Sequence, residues 1–129
     1  MNLTNEFSFV LKPSEYGVGV FATHDIKKDV YLRLFREKND PLVAIDRKID
    51  DVPEIFKEYC LSRGDTMKCP SDFGHMEIGW YLNHSKNPNA HHVDYEYYSS
   101  QDIKAGEEIT IDYNSLGESN DEKRDYYRN

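Results

Sequence analysis

The sequence predicts a β-rich α+β domain made of several short strands in small sheets. Apolar and polar residues alternate over short runs, as in Tyr31-Leu32-Arg33-Leu34 and Glu108-Ile109-Thr110-Ile111. Turn-forming residues punctuate those runs. At most one or two short helices fit between them, so the regular strand–helix alternation of a parallel sheet is missing.

Phe7 to Leu11 reads as a strand ended by Lys12-Pro13-Ser14. Val18 to Ala22 and Val30 to Phe35 read as two more, joined across the polar turn His24 to Asp29. Pro53 to Leu61 is the best helix, with Pro in its first turn, Gly64 beyond its end, and Ile55, Phe56 and Tyr59 on its apolar face. Residues 64–74 read as loop. Ile78 to Leu82 is an apolar run that belongs in a core. His91 to Ser99 is a Tyr-rich strand or hairpin, and Glu108 to Tyr113 a short strand after a turn at Ala105-Gly106. From Asn114 onward the chain is polar, with Tyr126 and Tyr127 near its end.

Composition narrows the function. The 129 residues fit one domain, and ten Tyr, six Phe and one Trp argue for a folded core despite 31% charged residues. The formal charge of −8 disfavours direct nucleic-acid binding, which relies on Lys and Arg at phosphates, and suits a basic partner. No apolar run is long enough to span a bilayer, and Met1 to Glu6 lacks the pattern of a signal peptide. Two cysteines, Cys60 and Cys69, allow at most one disulfide. The expectation is an intracellular protein, cytoplasmic, or nuclear or host-directed if its source is viral or a symbiont, without membrane association, as monomer or homodimer.

Three stretches carry candidate chemistry. Gly17-Val18-Gly19-Val20-Phe21-Ala22 has the letters of a dinucleotide-binding fingerprint, which requires a helix directly after the glycines. Thr23 to Asp29 has no apolar helical face, so that reading is rejected. A hairpin turn remains, or a place where backbone approaches a ligand. Asn83-His84-Ser85-Lys86-Asn87-Pro88-Asn89 has the composition of an exposed loop, yet follows directly on the apolar run. Amide and imidazole groups are thus delivered to the edge of a core, where a ligand with heteroatoms is one way to partner them. The third stretch, Asp102 to Tyr113, ends a strand in Asp112-Tyr113, and a Tyr there is by itself more often packing than chemistry.

Together and in this order, the three stretches resemble the SET-domain protein lysine methyltransferases. That family carries an early G-x-G turn, a later Asn-His-Ser-x-x-Pro-Asn segment and a closing Gly-Glu-Glu-Leu-Thr-x-Asp-Tyr segment. Here they read Gly17-Val18-Gly19, Asn83 to Asn89 and Gly106-Glu107-Glu108-Ile109-Thr110-Ile111-Asp112-Tyr113. The resemblance implies a single SET domain over residues 1–129, with a motif-bearing core over 16–113 and a tail over 114–129 as candidate lid. It implies a C-terminal pseudoknot in which the Asn-His segment passes beneath a loop of the final motif, against the usual rule for chain connections. The implied cofactor is S-adenosylmethionine. Gly17, Val18 and Gly19 would line its methionine end, Asn83 would bond the amino-acid portion, and the His84 backbone the adenine. Tyr113, the catalytic residue, would lie at both cofactor and target amine. The implied reaction transfers a methyl from sulfonium to a lysine nitrogen of a basic protein such as a histone, with no catalytic metal. Free lysine has a pKa near 10.4, so a dry aromatic channel beside a cation is needed to make the amine neutral.

The chain also departs from the family. Longer members often read Asn-His-Ser-Cys, where the Cys joins a zinc site; here Lys86 stands in that place and no Cys follows Cys69. Trp80 replaces an Arg common three residues before the Asn, and a Tyr-x-Gly segment near the middle is not visible. The compact form is closer to small viral and bacterial SET proteins. These departures keep an alternative open, a SET-like module with weak or no turnover that binds peptide or cofactor. Tyr126 or Tyr127 is expected to lie over the adenine or the lysine channel. Tyr95, Tyr97 and Tyr98 fit sheet packing or a channel wall. His75, His84, His91 and His92 with Cys60 and Cys69 match no zinc-ligand spacing. From His92 to Tyr113, six acids against one base, Lys104, make a solvated face or a basic-peptide attractor.

Overall fold

The computed structural model describes residues 3–15, 17–36 and 44–116. Its strands are β1 (Phe9–Ser14), β2 (Gly17–Ala22), β3 (Ala44–Lys48), β4 (Leu61–Arg63), β5 (Thr66–Pro70), β6 (Asn83–His84), β7 (Ala90–Val93), β8 (Glu96–Ser99) and β9 (Glu108–Ile111). Short 3₁₀ turns occupy Ile49–Asp51, Glu54–Tyr59, Ile78–Tyr81 and Tyr113–Leu116. The strands form three small sheets, in the orders β1-β2-β9-β6, β3-β5-β4 and β7-β8. The β-rich class read from the alternation is therefore the observed one. Among the described residues no helix is long and apolar enough to cross a membrane.

Two cores hold these sheets. Val20, Leu32, Leu34, Leu82, Ile109 and Ile111 anchor the larger one between the first sheet and the β7-β8 hairpin. A smaller core of Val52, Cys60, Met67 and Cys69 lies against the second sheet, with Phe56 and Phe73 packed on it. Both cysteines are buried free thiols, and burial pushes the Cys60 thiol up to about 12, with neighbouring Cys69 acting in the same direction.

Several local expectations shift for physical reasons. β1 runs on through Pro13 to Ser14, because it is the edge strand of its sheet and a residue without N–H is tolerated there. Val30 to Phe35 buries Leu32 and Leu34 as its alternation predicts. It is nevertheless no ladder strand, since Leu34 N–H turns back onto Leu32 O and Tyr31 alone bridges to Tyr98. The segment after Pro53 winds as 3₁₀ helix, with three residues per turn, so Phe56 and Tyr59 share a face while Ile55 is 75% exposed. Within 64–74, Thr66–Pro70 forms the central strand of the second sheet, its polar residues turned away from the small core. The Tyr-rich segment is the β7-β8 hairpin, turning at Asp94-Tyr95 with both φ positive, as a two-residue hairpin loop demands. Tyr126 and Tyr127 lie outside the described residues.

Asn89 shows how the second motif holds the sheet. The side chain is buried, its Nδ2 donates to Glu108 O at 2.7 Å, and its Oδ1 accepts from Thr110 N–H at 2.9 Å. The amide thus substitutes for a strand beside β9. Asn89→Ala strips partners from two backbone groups and is expected to cost about 2–4 kcal/mol. Thermal unfolding should show a Tm lower by about 10 °C, whereas a shift of a degree or two would mean water replaces the amide.

Candidate functional site

β9 assembles the site. On one side it pairs antiparallel with β2, which carries the G-x-G turn, and on the other parallel with β6, which is the Asn-His pair. Asn83 and Val18, 65 positions apart, meet across it. Asn83 Nδ2, with two protons to give, lies within hydrogen-bond distance of three acceptors: Val18 O at 3.1 Å, Ser14 Oγ at 3.0 Å and Glu108 Oε2 at 2.8 Å. This close approach depends on Gly19. A Cβ there would collide with the Glu108 carboxylate and come within 3.0 Å of Asn83 Nδ2. Gly17 is required for a different reason: its φ is +98°, and nothing lies within 4 Å of where a Cβ would stand.

Beside this crossing lies a cleft of about 340 Å³, lined by Glu15, Asn83, His84, Ser85, Lys86 and Glu108. Its volume falls in the range of small-molecule sites. The donor set is mixed in charge: Glu15 and Glu108 suit a cation, and Lys86 suits a carboxylate. Ser85 N–H donates to Ile111 O, and the parallel register then turns the His84 N–H and C=O to the side of β6 away from β9. A donor and an acceptor of one residue on a strand edge are what a heterocycle such as adenine can pair with.

The His84 ring links the cleft to the final motif. Its side chain is 7% exposed, and Nδ1 accepts the Tyr113 N–H at 3.0 Å, which fixes the proton on Nε2. Burial lowers the His84 pKa, with Lys86 adding to the effect and Asp112 at 3.7 Å opposing it. The Tyr113 ring tilts against the His84 ring with centroids 5.3 Å apart, and its hydroxyl donates to Leu82 O. That bond uses the phenolic proton, so toward any further group the oxygen acts as an acceptor.

The structure therefore puts Asn83 and His84 in the cleft wall, and Val18 and Gly19 behind it, against Asn83 and Glu108, with Gly17 at the start of the same strand. Tyr113 joins through His84 and does not line the cleft itself. Glu15 and Glu108 were missed as site residues. Glu108 could have been suspected, because burial of Ile109 and Ile111 turns it to the opposite face of β9, but only the register with β2 puts Gly19 beneath it. Trp80 packs edge-on against Phe35, 5.9 Å between centroids, and its buried Nε1 has no hydrogen-bond partner among the described residues. Among the described residues, the cation lining the cleft is Lys86. Tyr95, Tyr97 and Tyr98 face different neighbours: Tyr97 is buried near Phe35 and His92, Tyr98 bonds Glu96, and Tyr95 packs on His92. Of the six acids counted from the sequence, Asp102, Glu107 and Asp112 accept backbone N–H groups of turns.

Comparison with known proteins gives the family and a likeness of fold. A sequence model of the SET domain matches residues 17–114, so the chain belongs to the SET-domain family. Comparison with curated proteins finds no match. Among 131 matching solved chains is the crystal structure of a Plasmodium falciparum protein provisionally named a histone methyltransferase. It is 19% identical over 83% of this chain and 93% of its own, with a TM-score of 0.55, a likeness of fold.

The His84–Tyr113 bond predicts a pH dependence. A folded-state pKa below the usual 6.5 means the unfolded chain takes up the proton first, so stability is full above about pH 6.5 and falls as pH drops below it. His84→Asn keeps an acceptor near the Nδ1 position and removes the titration. Melting at pH 7.5 and 5.5 should show a smaller acid loss in this variant than in wild type. Equal losses would mean that His84 does not carry the effect.

Proposed function

We propose that this protein is an S-adenosylmethionine-dependent protein-lysine N-methyltransferase. The observation that carries the reading is the convergence of the Asn83-His84 pair and Tyr113 across β9, beside a cleft whose donors match that cofactor. The residues fit it: Gly17 leaves open space at the turn, Asn83 and the carboxylates of Glu15 and Glu108 suit an ammonium, and Lys86 suits a carboxylate. When bound, S-adenosylmethionine supplies an electrophilic methyl on a sulfonium.

The chain's own residues do the rest. The His84 backbone holds a heterocycle at the edge of β6. Tyr113, its proton given to Leu82 O, accepts from the amine through the phenolic oxygen and so aims the nitrogen lone pair. Desolvation and a neighbouring cation both favour the neutral amine that the transfer needs. The proposed substrate is a basic protein, drawn by the net charge of −8. An intracellular setting is supported by the two free thiols. Trp80, standing where a cation is common, favours a second reading in which cofactor or peptide binds without turnover.

Incubation of the protein with a cell lysate and isotopically labelled S-adenosylmethionine, followed by mass spectrometry, tests the proposal. Label is expected on lysine side chains; label nowhere, or on other residue types, would overturn it. Tyr113→Phe should leave cofactor affinity nearly unchanged and cut turnover about a hundred-fold, the cost of a misaligned reactant. Activity within a few-fold of wild type would make Tyr113 a packing residue. Asn83→Ala should weaken cofactor binding about ten- to hundred-fold by calorimetry, and equal affinities would count against this cleft.

A further inference from the structure

Where the β3-β5-β4 sheet meets the β7-β8 turn, a basic cluster stands outside the machinery described so far. We propose that Arg63 and Lys68 form a docking point for an acidic side chain of the polypeptide substrate, close to its target lysine. The inference rests on the methyltransferase reading and adds a sequence preference to it.

Strand alternation builds the cluster. Met67 and Cys69 point into the small core, so Lys68 turns to the other face of β5, beside Arg63 on β4. Both cations converge on Tyr95. Lys68 Nζ lies 4.5 Å from the centre of its ring, and Arg63 Nη2 donates to its hydroxyl at 2.6 Å. Tyr95 is held firmly for this: it stacks on His92 at 5.0 Å and 12°, and its N–H donates to His92 Nδ1. These contacts act on a residue that the two-residue hairpin turn already holds at φ +65°, a conformation rare for a bulky side chain.

Charge points to the occupant. Among the described residues the acceptors of Arg63 are neutral: the carbonyls of Ser62 and Leu116 and the Tyr95 hydroxyl. No carboxylate among the described residues forms an ion pair with Arg63 or Lys68, although Asp46 stands opposite Lys68 in the β3–β5 register. Two cations with no ion-paired carboxylate among the described residues, in a chain of charge −8, complement an anion supplied from outside.

Position points to the substrate. Leu116 O, held by Arg63 and by the Tyr95 hydroxyl, closes the 3₁₀ turn that Tyr113 opens. At a 3₁₀ rise of about 2 Å per residue, Leu116 lies roughly 6 Å along that axis from Tyr113. An extended chain advances about 3.3 Å per residue, so residues flanking a lysine at Tyr113 cover that separation. The net negative charge draws the polypeptide in, and this local positive pair sets its register.

The test uses the full chain and peptides with one central lysine, carrying Glu, Gln or Lys at each flanking position in turn. Binding is read by fluorescence anisotropy, and transfer by initial rates with labelled S-adenosylmethionine. One Glu position should bind about tenfold more tightly than its Gln counterpart, and the difference should shrink with added salt. Lys68→Gln should abolish that preference, and Lys68→Glu should reverse it toward the Lys peptide. Lys68 is the variant of choice because Arg63 also anchors Leu116.

Wild-type binding indifferent to flanking charge, or a Glu preference that survives Lys68→Glu, would overturn the docking point. Charge-selective binding without any transfer would leave the docking point standing and remove the methyltransferase reading. Transfer to every peptide at one rate would do the reverse. Neither binding nor transfer would remove both.

Discussion

The pairing of β9 with β2 on one side and β6 on the other is the constraint on which the rest depends. β9 is only four residues long, yet it is the contact between the early glycine turn, the Asn-His pair and Tyr113. Its inward residues, Ile109 and Ile111, are buried in the larger core, so its position is fixed by packing. Asn89 then satisfies β9 backbone groups by amide bonds. Polar residues that would otherwise make a surface loop become the frame of a site.

The polar groups at this crossing are bonded to one another before any ligand is considered. Asn83 is tied to Ser14, Val18 and Glu108, and His84 Nδ1 to the Tyr113 backbone. A preorganised donor set of this kind loses little freedom on binding, which favours both affinity and a defined approach of the reacting atoms. The same arrangement couples the site to stability, because removing one amide or imidazole also disturbs strand pairing. Effects on folding and on chemistry must therefore be measured separately at Asn83 and His84.

Much of this was legible in the chain, and unevenly so. The three motifs carry the family because their residue types are demanded by backbone geometry: φ +98° at Gly17, close approach at Gly19, and a buried amide at Asn89. Local structure was less legible where tertiary contacts overrode pattern. Pro13 looks like a strand terminator and is tolerated only because β1 is an edge. Ile55 looks like a core residue on an α-helical wheel and is exposed on a 3₁₀ turn. Glu15 and Arg63 gave no signal, and Glu108 only the face of β9 it occupies, since a charged residue reveals a site only when its register neighbours are known.

A crystal structure of the protein grown with S-adenosylhomocysteine, the demethylated form of the proposed cofactor, tests the central claim most directly. The account predicts the ligand in the cleft, with its carboxylate near Lys86, its ammonium at Asn83 and the adenine on the His84 backbone. Ligand found elsewhere would contradict it. The groove of about 530 Å³ lined by Arg33, Arg36 and His75 is one such place.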